Sequence, residues 1–538
     1  MSRKNILIHS GPPAVYQLRP KKQKLGTLTR MTVGEKKPNK INKTILHVGE
    51  TGAGKSTLIN ALINYSMGVK FEDEVWFQIV DEERRSQAEG QTSDVIVYEI
   101  FGYEDQTLPY SLTIIDTPGY GDTRGIEYDD IISERLLDLF GSDDGVAEIH
   151  AVGLVMKATE NRLSDRLMYV FNSVMSLFGK NMEKQIVAFI THSDGKTPKN
   201  ALEALEAAKI KCAKNKKNEP VHFLFDNRQH EERTEENEAS SKHSWDITQT
   251  GMDHMMEFLG KSGSQKLMTT VEVLKERIRL KACIQNLRER INLTELKQTE
   301  IRETEEAVKK HEEEMKKNQK FTVEVDEVYK DYEEIKLEGS KWTKWWFVLL
   351  GFDKAVCCKV CEENCHYPGC TMALIPEHCE VIRRGRCTVC TKKCPASSHV
   401  KEKKKYVPKT RKVQKTIKDL KEKYEKSKEE SEKESSILEN LKKEMIKLTA
   451  EKKQWFYESY QHVIRLEKIA LNVDAVSTIV HLDFLIEKMK EEEDTEKVQK
   501  LEEMRSRVDE RTRAAHWYKF TQIQSGIRNI GKSFPWKK

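Results

Sequence analysis

The sequence predicts an α/β P-loop domain, its sheet mostly parallel with helices on both faces, followed by an α-helical coiled-coil stalk with a small Cys-rich zinc module and a C-terminal helical segment. Three observations predict it. The stretch Gly49-Glu50-Thr51-Gly52-Ala53-Gly54-Lys55-Ser56 has the form G-x-x-x-x-G-K-[ST] and lies between a strand-like apolar run and a helix-like pattern. Apolar runs alternate with amphipathic segments from residue 44 to about 267, as a parallel sheet with crossover helices requires. Beyond that point apolar residues recur in three- and four-residue steps on either side of a block holding nine of the chain's eleven cysteines.

Composition narrows the class. Of 538 residues 33% are charged, yet the net charge is only +5, so both signs are dense and interspersed. That balance favours long solvated helices over a nucleic-acid footprint, and no nucleic-acid partner is expected. No apolar run approaches the ~20 residues that span a bilayer, and the N-terminus lacks a signal-peptide pattern. The chain reads as cytoplasmic, where thiols stay reduced.

In chain order, residues 1–42 read as a flexible basic arm and 43–265 as the nucleotide-binding domain. The expected strands are 44–48, 95–100, 112–116, 151–156, 185–191 and 221–225, with helices around 55–64, 129–140, 165–178 and 200–211. P-loop backbone amides, from Gly49 through Ser56 and Thr57, are expected to cradle phosphates at the helix N-terminus. Lys55 reaches the β- and γ-phosphates, and the Ser56 hydroxyl holds Mg²⁺. Asp116, at the end of an apolar run, is placed to hold the water shell of Mg²⁺, with the Gly119 amide beside the γ-phosphate. Asp194 closes another strand, where a carboxylate accepts both guanine N1–H and N2–H. It therefore selects GTP over ATP, unless it is only a turn Asp before Gly195.

Gly49–Ser56, Thr92, Asp116–Gly119 and Thr191–Asp194 stand in the order of the four boxes of a G domain. The runs Gly49 to Asn60 and Asp116 to Asp122 make the region resemble septins and their relatives, the immunity-associated nucleotide-binding proteins. That resemblance covers residues 44–260 and implies GTP/GDP with Mg²⁺ as ligands. It implies Thr92 as the switch residue closing on Mg²⁺, with Ser93 the alternative, and Asn227 in a base-pocket loop, Phe225-Asp226-Asn227. Dimerisation across the nucleotide pocket would make Arg124 an arginine supplied to the partner's phosphates, against the plainer reading of a solvated surface Arg. Two departures matter: His192 stands where the family's fourth box has a Lys that stacks on guanine, and Tyr120 where many GTPases carry a water-orienting Gln. The second implies slow hydrolysis.

Residues 266–340 and 401–454 are expected to be two coiled-coil arms. The first seam is Val273, Leu280, Ile284, Leu287, Ile291, Ile301, Val308 and Met315, and the second runs from Val413 through Leu420 to Leu438, Leu441, Met445 and Leu448. They suggest an antiparallel hairpin with the module 341–400 at its tip, the alternative being seams between chains. In that module Cys358, Cys361, Cys365 and Cys370 are followed 29 residues later by Cys387, Cys390, Cys394 and His399. Soft ligands at this doubled spacing predict two structural Zn²⁺, divided by repeat or interleaved. The aromatic patch Trp342, Trp345, Trp346 and Phe347 packs the module onto the stalk, or touches a membrane peripherally. Residues 455–510 read as helices returning to the nucleotide domain, and 511–538 as a basic tail.

The expectation is a slow GTPase whose nucleotide state controls self-assembly, as a homodimer or higher homo-oligomer, through G domain and coiled coil. The alternatives are a zinc-hook-like coiled-coil ATPase and a scaffold that binds GTP without turnover. The strand ending in Asp-Thr-Pro-Gly rather than Asp-Glu disfavours the ATPase.

Overall fold

The computed structural model describes residues 5–25, 28–36, 40–80, 94–101, 108–120, 126–159, 164–311, 322–336, 353–367, 373, 375–416, 419–420, 437–473 and 475–507. Thr92, Ser93, Arg124, Met315, Cys370, the aromatic patch and the basic tail lie outside them. The chain forms two compact units, one of residues 1–274, 466–479 and 506–538, the other of 275–465 and 480–505.

The first unit is built on an eight-stranded sheet. Its strands are β1 (Lys21–Leu25), β2 (Leu28–Val33), β3 (Asn42–Gly49), β4 (Ile96–Ile100), β5 (Ser111–Asp116), β6 (Ala151–Lys157), β7 (Ile186–Thr191) and β8 (His222–Leu224), in the order β8-β7-β6-β3-β5-β4-β2-β1. Strands β5, β3, β6, β7 and β8 run parallel, while β4 is antiparallel to β5 and β1 to β2. The order reverses at β3, which opens a crevice at the carboxyl ends of the strands, the usual ligand position in such sheets. Helices α1 (Lys55–Met67), α2 (Ile126–Gly141), α3 (Asp165–Met175), α4 (Lys199–Ala207) and α5 (Glu238–Lys261) join the strands.

All six expected strands form, because their apolar runs are buried: every residue of β5 and β7 is buried. The sequence also holds a sheet edge that was expected to be a flexible arm. Within 1–42, Leu28-Thr29-Arg30-Met31-Thr32-Val33 buries its two ends, Leu28 and Val33, which five residues apart lie on opposite faces, and it pairs parallel to β4, with β1 outside it. Strands Ile6–His9 and Ala14–Gln17 make a second small sheet with Val75–Gln78.

On α1, Asn60 and Asn64 face inward, where a helix pattern calls for apolar residues. Asn60 Oδ1 accepts from the backbone N–H groups of Ile79 (3.0 Å) and Val80 (3.1 Å). Asn64 exchanges two bonds with the backbone of Phe77 (2.7 and 2.9 Å). Two amide side chains thus satisfy the edge of the strand Val75–Gln78 away from Ala14–Gln17, and the two residues that follow it. Leu471 N donates to Phe178 O (2.8 Å) and Lys211 Nζ to Leu471 O (3.0 Å), so residues near 470 belong to this unit, whereas 455–465 and 480–505, expected to return with them, belong to the second.

The long helix α6 (Met268–Lys310) carries the first seam, and Val273, Leu280, Ile284, Leu287, Ile291, Ile301 and Val308 are all buried. In the second unit Ile301 of the first seam packs with Leu441 and Leu448 of α7 (Ile437–Ile469). The first arm does not continue as helix to 340, however. Residues Thr322–Glu334 are β9, paired antiparallel over thirteen residues with β15 (Lys404–Thr416), which replaces the start of the second arm. The reason is a change of period: Val323 and Val325 alternate with Glu324 and Asp326, which suits a strand, and both valines are buried. Across the ribbon Arg411 pairs with Glu327 (2.7 Å), Lys412 with Glu324 (3.1 Å) and Lys409 with Asp331 (2.8 Å).

The cysteine region is not at a tip either. Strands β10 (Ala355–Cys358), β11 (Glu363–His366) and β14 (His399–Glu402) form a sheet in the order β11-β10-β14, with β12 (Ile382–Arg383) and β13 (Arg386–Cys387) as a small hairpin. The ribbon turns this sheet back onto α6: Asn286 donates to Asn364 O (2.9 Å), and buried Arg290 pairs with Glu363 (2.7 Å). Helices α8 (Val476–Glu491) and α9 (Thr495–Ser506) complete the described chain. No described helix is long and apolar enough to cross a membrane.

Candidate functional site

β3 delivers the chain into the P-loop and α1 takes it away. Gly54, at φ 89°, is the N-cap of α1, a left-handed conformation that a Cβ would strain. Lys55 then folds over the loop, its Nζ donating to Glu50 O (2.8 Å) and Gly49 O (3.2 Å). Burial lowers its pKa to about 8, while Asp116 and Glu50 pull it back up, so the ammonium stays mostly charged at neutral pH.

Asp116 is buried at the end of β5, in register with His47 of β3. The loop after it is fastened at three points to β3 and the P-loop: Thr117 Oγ1 donates to His47 O (2.8 Å), Tyr120 N donates to Gly49 O (3.0 Å), and Gly119 lies against Thr51. A Cβ on Gly119 would stand 2.6 Å from Thr51 N and 2.5 Å from its Cα, so only glycine permits the approach. Tyr120 is 1% exposed, a ring packed in the core rather than facing a water.

The opposite rim is set by β7. Thr191 Oγ1 donates to Ala53 O (2.7 Å), tying this strand end to the P-loop. His192 follows at φ 52°, and Ser193 N donates to Phe225 O (3.0 Å). Burial lowers the His192 pKa, leaving a neutral ring. Asp194 points outward, its side chain 66% exposed; the backbone N–H of Lys196 donates to it at 3.0 Å and holds its carboxyl below the usual range. In the neighbouring loop Asp226 is occupied by Arg228 (2.8 Å) and Ser244 (2.7 Å), whereas Asn227 Nδ2 is buried without a hydrogen-bond partner. The structure thus brings together the expected P-loop residues, Asp116 and Gly119 on one side and Thr191 to Asp194 with Asn227 on the other.

Residues 39–131 match the septin family model. Together with the P-loop geometry and sheet, this makes the first unit a P-loop G domain. No curated protein matches the chain. Among solved structures, Toc33 from Arabidopsis thaliana in complex with GDP and Mg²⁺ is similar at 16% identity, over 43% of this chain and 84% of that one, with a TM-score of 0.27. The same protein with Mg²⁺ and GMPPNP gives 17%, 40% and 86%, with a TM-score of 0.25. Translation elongation factor SelB from Methanococcus maripaludis, with a GTP analogue, gives 13%, 41% and 35%, with a TM-score of 0.24. These values are too low to add to the septin match.

Two groups at the G-domain site escaped sequence reasoning. His47 is fully buried beside the P-loop, edge-on to Phe189 with ring centroids 5.3 Å apart, and neither ring nitrogen has a hydrogen-bond partner. Burial, with Lys55 nearby, pushes its pKa down to about 3. Arg166 of α3 pairs with Glu50 of the P-loop at 2.5 Å. Ser164, which accepts from Leu167 N as the N-cap of α3, was the available signal that a helix start lies there.

In the second unit the cysteines cluster, but not by repeat. Cys358, Cys361, Cys390 and Cys394 bring their sulfurs together, as do Cys365, Cys387, Cys390 and His399, each group within 4.8 Å, and either could hold a metal ion. The division by repeats therefore gives way to an interleaved one. Strand register explains it, since β10 lies between β11 and β14 and sets Cys358 opposite both Glu363 and His399. A third group, His366, Cys379 and Glu380, lies apart from these, with His366 Nδ1 3.1 Å from Cys379 Sγ. Cys357 belongs to none of the three: its thiol donates to Asn364 Oδ1 (3.3 Å), and burial pushes its pKa up to about 12.

Proposed function

We propose that the first unit binds guanine nucleotide and hydrolyses GTP slowly, its nucleotide state governing self-association through the G domain and the helical region. The observation that carries the reading is the pairing of two rims across one crevice. Lys55 and the P-loop amides offer positive charge for a triphosphate, and Asp194 is a charged acceptor for the two donors that guanine presents and adenine does not. Asn227 Nδ2 adds an unpartnered buried donor beside Asp194's strand, suited to a carbonyl oxygen on a base.

Ser56 and Asp116 would hold Mg²⁺, with Thr92 from the segment before β4. The metal, when bound, neutralises charge on the β- and γ-phosphate oxygens. The chain's own residues position the rest: Lys55 and the P-loop amides hold the phosphates, and the Gly119 amide, fixed by its contact with Thr51, faces the γ-phosphate end. Tyr120 is packed away and does not orient water, which supports a slow intrinsic rate and keeps alive the second reading, a scaffold that binds GTP without turnover. Arg124 of a second copy would add positive charge at the phosphates.

Binding of fluorescent GTP and ATP analogues, with Asp194→Asn alongside, tests the base assignment. GTP preference shifting toward xanthosine nucleotide in the variant is the expected result; equal ATP binding indifferent to Asp194 would sink it. Single-turnover hydrolysis that rises with protein concentration, and no longer does so in Arg124→Ala, would separate the GTPase from the scaffold.

A further inference from the structure

We infer that the interleaved cysteines form one binuclear zinc cluster in which the Cys390 thiolate bridges both metal ions. The inference rests on reading these cysteines as metal ligands and goes beyond it in assigning how two ions share them. Cys390 Sγ lies within 4.8 Å of Cys358, Cys361 and Cys394 and, equally, of Cys365, Cys387 and His399. Among the described residues, which do not include Cys370, those seven offer one ligand atom each, whereas two tetrahedral zinc ions need eight positions between them. One shared thiolate closes the difference, giving each ion four protein ligands.

Burial argues against the simpler alternative, in which water fills the eighth position. Cys358, Cys365 and Cys390 are 0% exposed, Cys387 is 2% exposed, Cys394 and His399 are each 5% exposed, and of the seven only Cys361 is partly exposed. A closed ligand shell is the arrangement of structural rather than catalytic zinc.

The surroundings are those of thiolates. The backbone N–H of Cys361 donates to Cys358 Sγ (3.4 Å), those of Val389 and Cys390 both donate to Cys387 Sγ (3.3 Å each), and that of Cys394 donates to Cys390 Sγ (3.3 Å). Such donors offset the negative charge that six thiolates retain around two divalent ions. His399 is oriented in the same sense. Its Nδ1 lies 2.9 Å from Pro395 O, which fixes the proton there and leaves the buried Nε2, grouped with the Cys387 and Cys390 sulfurs, as a lone pair for the metal. Each ion would draw ligands from both repeats, so the cluster would lock β10, β14 and the hairpin β12–β13 together.

The test is ¹¹³Cd substitution of the full-length protein, read by NMR, with metal content measured on the zinc form. A shared thiolate predicts two tetrahedral cadmium signals split by mutual coupling through sulfur, and a metal–metal shell at roughly 3.5–4 Å in X-ray absorption of the zinc protein. His366→Ala takes one ligand from the third group, and so that group from the metal count, while leaving all seven ligands of the cluster in place. In that background Cys390→Ser should abolish the coupling and lower the content by two equivalents, whereas Cys361→Ser should lower it by one. Two signals without coupling or a metal–metal shell, in protein with unaltered cysteines, would overturn the bridge while leaving the ligand reading intact. Freshly reduced protein that takes up no metal would overturn both. Because coupling and shell are read on unaltered cysteines, the test survives a variant that fails to fold.

Discussion

Acid should loosen the G domain through His47. This imidazole is buried beside the P-loop with no hydrogen-bond partner on either nitrogen, and its pKa is about 3 in the fold against 6.5 as the ordinary value. Below pH 6.5 the unfolded chain takes up a proton that the folded chain refuses until about pH 3. Stability is therefore fully present above pH 6.5 and falls as pH drops through that window, by about 1.4 kcal/mol per unit. At pH 5 the loss attributable to this one group is about 2 kcal/mol. The perturbation is His47→Leu, similar in volume and unable to titrate. The assay is urea unfolding of wild type and variant at pH 8 and pH 5 without nucleotide. Other groups, His150 and His192 among them, also have lowered pKa values and add their own slope, so the quantity to compare is the difference between the two proteins. The variant should lose about 2 kcal/mol less than wild type between those pH values. Equal losses would show that His47 is solvated or partnered in solution, and the reasoning from burial would fail.

Three further outcomes follow from particular contacts. Gly119→Ala sets a Cβ against the backbone of Thr51, so nucleotide affinity measured by fluorescence should fall at least about tenfold, with the circular dichroism spectrum retained. Asn60→Ala strands the N–H groups of Ile79 and Val80 and should cost about 2–4 kcal/mol in denaturant unfolding. Val325→Lys, on the buried side of the ribbon, should lower the thermal midpoint and speed proteolysis near residue 330 while leaving nucleotide binding unchanged.

What was legible in the sequence had local causes. The six strands of the sheet core announced themselves as buried apolar runs, and the P-loop, Asp116 and Thr191 to Asp194 sit at strand ends because their motifs are strand-end chemistry. What was missed depended on distant partners. Asn60 and Asn64 look like flaws in an apolar helix face until the strand end at 77–80 is placed beside them. Leu28 to Val33 reads as part of a basic arm because its apolar residues, at 28, 31 and 33, follow no strand period and stand among lysines, and it becomes a strand only because β4 offers an edge. At Val323 and Val325 the two-residue period was overlooked for the longer helical one that precedes it. The Cys-x-x-Cys turns were plain, but the division of ligands between them is decided by the register of β10 with its two neighbours.

The ribbon of β9 and β15 has a consequence for fidelity of assembly. One strand carries Glu324, Asp326, Glu327, Asp331, Glu333 and Glu334, the other Lys404, Lys405, Lys409, Arg411, Lys412 and Lys415. With only two valines buried near one end, apolar packing alone would leave the remaining rungs weakly specified. Charge supplies the missing instruction. A copy of β9 meeting another copy of itself would set carboxylates against carboxylates, and β15 meeting itself would crowd ammonium groups, so each strand refuses its own kind and accepts its complement. The ribbon behaves as a keyed connector whose two halves fit one way, and dissolved salt, by masking the key, would make it less discriminating.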